Sequence, residues 1–404
     1  MLNTIHKKST HKLLALICVC LCGCDGEEEK ISSSANDSNS VSPPLTAPLK
    51  NFTWQLPPHI SPPITPLDNP ISNEKIALGR FLFYDKRLSA NKTQSCASCH
   101  QQEHAFTEEN MTAIGSTGEV HPRNSQNLIN IAFNTSLTWN NPTIIDLEKQ
   151  IAIPLFGQHP IELGINETNK VEVLTRFQQN SNYQKLFKSA FPNETNNINF
   201  DNIIKALASF VRTLNSYNSP FDRFELGDKT ALSNSTQRGM NLFLSERLAC
   251  SECHHGPDFN QFKNKSSSQT MANFHNIGLY NLDGLGRYPN NNTGLMQFTN
   301  NPEDMGKFKT PTLRNVEHSA PYMHDGSLAS LEDVVDFYAA GGRFIGSGEF
   351  AGDGRINPFK HPLVKGFALD NQDKKDLVNF LKSLSDTDFL HDPTLSNPFT
   401  QTAP

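Results

Sequence analysis

Apolar residues recur at helical spacing along much of this 404-residue chain. The clearest runs are Ile203 to Leu214 and Leu377 to Leu384. Leu331, Val334, Val335 and Tyr338 fall at i, i+3, i+4 and i+7, one face of a helix. Two further stretches, IALGRFLF at 76–83 and QRGMNLFL at 237–244, carry the same signature. No segment sustains the alternation of a half-buried strand, so the pattern predicts a mostly α fold.

The pattern changes at the N-terminus. His6, Lys7, Lys8 and Lys12 precede a short apolar run, Leu13 to Leu21, which is too short to span a bilayer and reads as an export signal. The following Leu21-Cys22-Gly23-Cys24 is similar to a bacterial lipobox. It would make residues 1–24 a lipoprotein signal and Cys24 the lipidated first residue of the mature chain, an ordinary secretory signal cleaved elsewhere being the alternative. Residues 25 to about 50 are rich in Glu, Ser, Asn and Pro and cannot bury enough surface to fold, so 25–72 is expected as a disordered tether and lead-in segment.

Composition narrows the function. Charged residues make up 19% with a formal net charge of -6, which points away from nucleic acid and leaves the lipid anchor as the contact with a membrane. The length is ample for two domains. The 25 Pro and 27 Phe fit a loop-rich protein wrapped around bulky apolar cofactors.

Cysteine usage supplies the chemistry. Of eight Cys, Cys18, Cys20 and Cys22 leave with the signal and Cys24 takes lipid. Cys96, Cys99, Cys250 and Cys253 remain, in two matching pairs. Cys96-Ala97-Ser98-Cys99-His100 and Cys250-Ser251-Glu252-Cys253-His254 are both C-x-x-C-H, the attachment motif of c-type haem. One chance match in a chain of this composition has a probability of about 0.005 and two about 10⁻⁵. Zinc would need a second ligand pair beside each motif, and His104 alone is a thin candidate. Two covalently bound haem c groups are therefore expected, with His100 and His254 as proximal iron ligands. Each motif follows one of the two apolar stretches above, so the chain reads as two cytochrome c-like haem domains in tandem. Their limits are 73–216 and 233–386, with a linker at 217–232 and a tail at 387–404. The loop from about Pro257 to Lys309 exceeds ordinary loop length and reads as a cover over the second haem or a docking face.

From about Asn73 to Asp386 the chain resembles the bacterial di-haem cytochrome c peroxidase and MauG superfamily. The runs that carry the resemblance are LGRFLFYD (78–85), SCASCH (95–100), PRNS (122–125), FKTPTLRN (308–315) and APYMHDG (320–326). LTWNNP (137–142), PLFGQHPIELG (154–164) and GLYNLDG (278–284) are most similar to its MbnH branch, whose members oxidise a tryptophan of a partner protein to kynurenine. The resemblance implies that the haem on His100 is the peroxide site and that the haem on His254 stores or relays oxidising equivalents. It implies that Trp139 lies between them. It places Gln150 and Glu162 in the distal pocket, with Pro154 four residues after Gln150, although two extra residues separate Pro154 from Glu162. Glu148 and His159 are nearby fallbacks. A carboxylate there moves a proton between peroxide oxygens and an amide orients the peroxide. Tyr338 falls at the sixth-ligand position of the second haem, with Met323 as the alternative. A phenolate would lower the potential and a thioether raise it. Asn124, Ser319 and Pro321 match an interdomain calcium site of oxygen ligands.

One departure carries its own expectation. Ser116 occupies the place where many of these peroxidases block the resting haem with a histidine, and His121 lies five residues later. The first haem is therefore expected to rest five-coordinate.

Three functions compete on these residues. The first is a periplasmic, lipid-anchored oxidoreductase in which hydrogen peroxide oxidises the haem pair and the pair oxidises a side chain, Trp, of a partner protein. The second is a cytochrome c peroxidase drawing electrons from a small cytochrome or cupredoxin. The third is a non-enzymatic di-haem electron carrier, which would need both irons capped by protein ligands.

Overall fold

The computed structural model describes residues 52–261 and 273–400. The signal at 1–24, Cys24 and the tether up to residue 50 lie outside the described residues. Described residues are mostly helical, as the apolar spacing predicts, with two short antiparallel ladders. In the first half the helices are α1 (Asn73–Tyr84), α2 (Cys96–Cys99), α3 (Leu147–Phe156), α4 (Lys170–Gln178), α5 (Ser181–Ala190) and α6 (Phe200–Val211). The second half has α7 (Pro220–Glu225), α8 (Asn234–Leu244), α9 (Cys250–Cys253), α10 (Met296–Thr299), α11 (Leu331–Ala339), α12 (Asn371–Lys382) and α13 (Thr387–Leu390).

Each half is organised by one crossing of an early and a late helix: α1 on α6, and α8 on α12. The N-terminus of α1 is capped by Ser72, whose Oγ accepts from Lys75 N at 3.2 Å. That of α8 is capped by Ser233, which accepts from Thr236 N at 3.1 Å. At each crossing stands a glycine. A Cβ on Gly79 would fall 2.0 Å from Ala206 O, and one on Gly239 would fall 1.9 Å from Asp376 O. The helices touch backbone to backbone, which any side chain would prevent. Around the first crossing Leu78, Leu82, Phe83, Phe177, Phe187, Ala206 and Phe210 form one core. Around the second, Phe243, Phe259, Leu377, Phe380 and Leu384 form another.

Two stretches expected to lie outside the domains are packed against them. Residues 52–72 have no regular structure, yet Asn69 is fully buried. Its amide donates to Glu148 Oε1 at 2.7 Å and Lys205 O at 3.0 Å, and its Oδ1 accepts from Lys75 Nζ at 3.0 Å. The described part of the expected tail, 387–400, returns to the first core. Phe389, Leu390 and Leu395 are buried there, Gln102 Nε2 donates to Phe389 O and Asp392 O, and Arg80 and Tyr84 hold the carbonyls of Ser396, Pro393 and Leu395. Three apolar residues after Asp386 make that return favourable.

The described part of the long stretch from Pro257 to Lys309 folds on itself. Strand β1 (Phe274–His275) pairs with β2 (Phe308–Lys309), Phe274 opposite Lys309. Leu279, Tyr280, Tyr288 and Phe308 join Phe337 in a third apolar cluster, against which Trp139, Met323 and Tyr338 pack. A second ladder, β3 (Phe344–Ile345) with β4 (Gly352–Asp353), closes over this region.

Candidate functional site

Both C-x-x-C-H motifs form a single helical turn, α2 and α9, which brings two thiols and the next imidazole onto one side. The four cysteines are free thiols. Burial pushes Cys96, Cys250 and Cys253 up to about 12. Among the described residues no group of three His, Cys, Asp or Glu is arranged to hold a metal ion.

The two imidazoles are set identically. His100 Nδ1 lies 2.9 Å from Phe106 O, and His254 Nδ1 lies 2.8 Å from Phe259 O. A carbonyl only accepts, so Nδ1 carries the proton and Nε2 keeps its lone pair for iron. Burial lowers the basicity of both rings, keeping them neutral. Phe106 (φ 57°) and Phe259 (φ 52°) are both left-handed, a conformation that costs a bulky residue about 1–3 kcal/mol. That strain is held twice, each time where a carbonyl must face the imidazole. Sequence reading missed these phenylalanines, which carry no signal beyond following a haem motif by a few residues.

The second motif opens onto a cavity shared by Cys250, Cys253 and His254 with Leu331, Val335 and Leu377. Its apolar wall, free thiols and neutral imidazole fit a haem. Tyr338 and Met323 both line this cavity. Burial first, then the nearness of Cys253 and Cys250, pushes the Tyr338 phenol up from its ordinary value. The α11 face read as core from its spacing is thus also the face toward the cofactor space. Lys309, which sequence reading passed over, lines the same cavity 7% exposed, its amine lowered to about 8 by burial.

Around the first motif, Cys96 and Ala97 pack against the first apolar core, and a carboxyl stands close by. Leu163 N donates to Pro154 O at 2.9 Å, folding the 161–164 segment back on the last turn of α3, and Ser116 N donates to Glu162 O at 2.8 Å. Glu162 thereby comes close enough to act electrostatically on Cys96 and Cys99. Burial lifts its carboxyl to about 7. Gln150, on α3, has a buried Oε1 with no hydrogen-bond partner, and the Ser116 hydroxyl is buried and unpartnered as well. Gln150 Oε1 and the Ser116 hydroxyl are thus each free for a further partner, and the Glu162 carboxyl is held near neutrality. Pro154 sits inside α3 and lacks the N–H that would have paired with Gln150 O.

The fallbacks are elsewhere. Glu148 is held by both Arg212 nitrogens at 2.8 and 2.6 Å and by Asn69. Burial opposes ionisation there, but these bonds win and keep it below the ordinary carboxylate range. His159 is exposed. The His121 ring faces Ile161 O at 3.4 Å. Sequence reading also missed Glu108, which is 2% exposed, accepts from Ser125 Oγ at 2.6 Å and from Asn110, and acts on Cys99 and His100. Beside Glu109 it reads as a solvated charge.

Trp139 stands between the halves. Its Nε1 donates to Asn124 O at 2.8 Å, its carbonyl accepts from Lys309 N at 2.8 Å, and its ring lines the second cavity. Asn124 donates its side-chain amide to Asn110 O and Met111 O, and it lines that cavity with Ser319 and Pro321. The three expected calcium ligands, from both halves of the chain, thus line one cavity.

Known proteins similar to this chain show its family. Residues 73–230 match the family model described as di-haem cytochrome c peroxidase. The chain is 35% identical over 387 residues to cytochrome-c peroxidase IdrP1 of Pseudomonas sp. (strain SCT), covering 91% of this chain and 93% of that one. It is 34% identical over 321 residues to methylamine utilization protein MauG of Methylorubrum extorquens, covering 79% and 80%. Its fold is similar to the crystal structure of a MauG-like protein associated with microbial copper homeostasis, at TM-score 0.83 and 45% identity, covering 86% of this chain and 99% of that one. Two paired-thiol motifs with matched imidazoles, and relatives of this extent, make the chain a member of the di-haem cytochrome c peroxidase (MauG) family.

Proposed function

We propose that this protein carries one haem c in each of two tandem domains, about 73–216 and 233–386, and uses hydrogen peroxide to oxidise a side chain, tryptophan, of a partner protein. The observation that carries the reading is that Glu162, its carboxyl lifted to about 7, stands close to Cys96 and Cys99 of the first motif, while Tyr338 lines the cavity of the second. When bound, the haem pair supplies the capacity to hold two oxidising equivalents from peroxide. Gln150 orients peroxide by accepting from it with its unpartnered amide oxygen. The Glu162 carboxylate takes the proton of the inner oxygen and returns it to the outer one, so that water leaves. Ser116 supplies no nitrogen to cap the first iron, which keeps that face open. Tyr338 serves the second haem as a hard oxygen ligand and lowers its potential. Trp139, its indole tied to Asn124 and its carbonyl to Lys309, is the bridge between haems. Asn124, Ser319 and Pro321 hold a calcium ion that fixes this junction. The 45% identity with a MauG-like protein supports this reading over simple peroxidase turnover. Export and lipidation at Cys24 place it in the periplasm, tethered to a membrane; among the described residues no helix is long and apolar enough to cross one.

A second reading, peroxidase turnover with electrons from a small redox protein, is favoured by Met323 in the same cavity and by the extent of the likeness to IdrP1. Peroxide titration of the holo-protein separates them. Stable oxidised haem accumulating with peroxide alone is the expected result. Rapid turnover of reduced cytochrome c would sink the first reading, and all-low-spin ferric haem that ignores peroxide would sink both.

A further inference from the structure

Behind the second cavity lies a row of rings that the chemistry above does not use. Tyr288 lines the cavity, its ring centroid 6.3 Å from Phe308 and 5.5 Å from Tyr280. Tyr280 in turn is 5.7 Å from Phe350, which is 41% exposed. Tyr280 itself is 7% exposed. The row thus leads from the cofactor space to the surface beside the β3–β4 ladder.

The two tyrosines differ in what their hydroxyls meet. Tyr288 Oη donates to the amide oxygen of Asn276 at 2.9 Å and accepts from Leu279 N. An amide oxygen cannot keep a proton at neutral pH, so Tyr288 has nowhere to send its own. Tyr280 Oη donates to Asp325 Oδ2 at 2.5 Å, the length of a charge-assisted O–H···O⁻ bond. Losing an electron from a phenol is easy when its proton can leave in the same event, and here a carboxylate stands in hydrogen-bond contact to take it. The Arg343 guanidinium lies 5.9 Å from the same ring. A second tyrosine–aspartate pair, Tyr183 with Asp85 at 2.6 Å, sits in the first core, where Asp85 is also bound by Arg87 and the ring neighbours Phe177 and Phe187 are fully buried. That pair has no ring leading outward. Tyr280–Asp325 has.

We propose that Tyr280 is a redox relay between the second haem and a protein substrate docked over Phe350. Resting on the peroxide-dependent reading above, it adds the route by which electrons enter. Tyr280 gives one electron toward the haem pair, already oxidised by peroxide, and its phenolic proton moves to Asp325 Oδ2, leaving a neutral phenoxyl. An electron from the substrate side chain and the proton from Asp325 restore the phenol. Two such cycles consume the two equivalents of one peroxide.

The test uses the holo-protein frozen within seconds of mixing with one equivalent of hydrogen peroxide. Electron paramagnetic resonance should show an organic radical that changes shape on incorporation of ring-deuterated tyrosine. The signal should be lost in Tyr280→Phe and weakened several-fold in Asp325→Asn. The optical change of the haems with peroxide should persist in both, and their spontaneous return should slow several-fold. A radical and a return rate unchanged in a Tyr280→Phe protein that still reacts with peroxide would overturn the relay alone. Haems inert to peroxide in the unaltered protein would overturn the parent reading and the relay with it.

Discussion

The two halves build the same frame around the motif imidazole and differ in the residues that surround it. Each crosses an early helix over a late one at a glycine, each presents a one-turn C-x-x-C-H, and each orients its imidazole with the carbonyl of a left-handed phenylalanine. Beyond the imidazoles the halves part. In the first half Glu162 stands close to Cys96 and Cys99, and Gln150 and Ser116 carry unpartnered buried atoms; in the second, Leu331, Val335, Tyr338, Met323 and Lys309 line the cavity. The difference teaches that the attachment scaffold is generic and that chemistry is assigned by what one folded-back segment or one helix face carries opposite it.

The largest expected effect tests the first half. Glu162→Gln should slow reaction with peroxide by about 10²–10⁴-fold, measured by stopped-flow absorbance, while haem content is unchanged. The same carboxyl sets a pH dependence. The reactive form is the carboxylate, so the rate should rise with pH through about 7 and flatten in the variant. Its effect on stability runs the other way. Between 4.5 and about 7 the folded chain keeps a proton that the unfolded chain has released, so this group's contribution falls as pH rises across that window.

Removing a buried counter-charge comes next. Asp222→Ala strands Arg314, which is 2% exposed, donates Nη1 to both Asp222 oxygens at 2.7 and 2.6 Å and also braces Pro257 O beside the second imidazole. A loss of about 3–5 kcal/mol in denaturant unfolding is expected. Glu148→Ala, which strands Arg212 in the first half, should cost a comparable amount and leave His254 untouched. Gly239→Ala and Gly79→Ala should each cost about 1–3 kcal/mol or more by wedging the paired helices apart. Equal losses would support a shared scaffold; a cost at one glycine alone would break the comparison. The smallest structural effect is Ser233→Ala at the α8 cap, about 1 kcal/mol. Tyr338→Met sharpens the distal contrast: spectroelectrochemistry should show a higher potential for the second haem, and an unchanged potential would remove Tyr338 from its coordination.

Much of this was legible in the residues themselves. The haem motifs need no fold to be recognised, because thiols and imidazole lie within one helical turn and their spacing is covalent. The helical spacing of 203–214, 331–338 and 377–384 likewise reports on neighbours along one strip of chain. Tertiary structure decided the rest. Whether Glu148 or Glu162 is poised for chemistry depends on Arg212, 64 residues from the first, and on the Leu163–Pro154 bond that folds back the second. Whether 387–400 is a tail depends on Phe389, Leu390 and Leu395 finding the first core, and the Tyr280–Asp325 pair joins residues 45 apart. Residue type and short spacing state what chemistry a chain can carry. Burial and partner geometry come from contacts remote in sequence, and these alone set which carboxyl keeps its proton and which phenol can give one up.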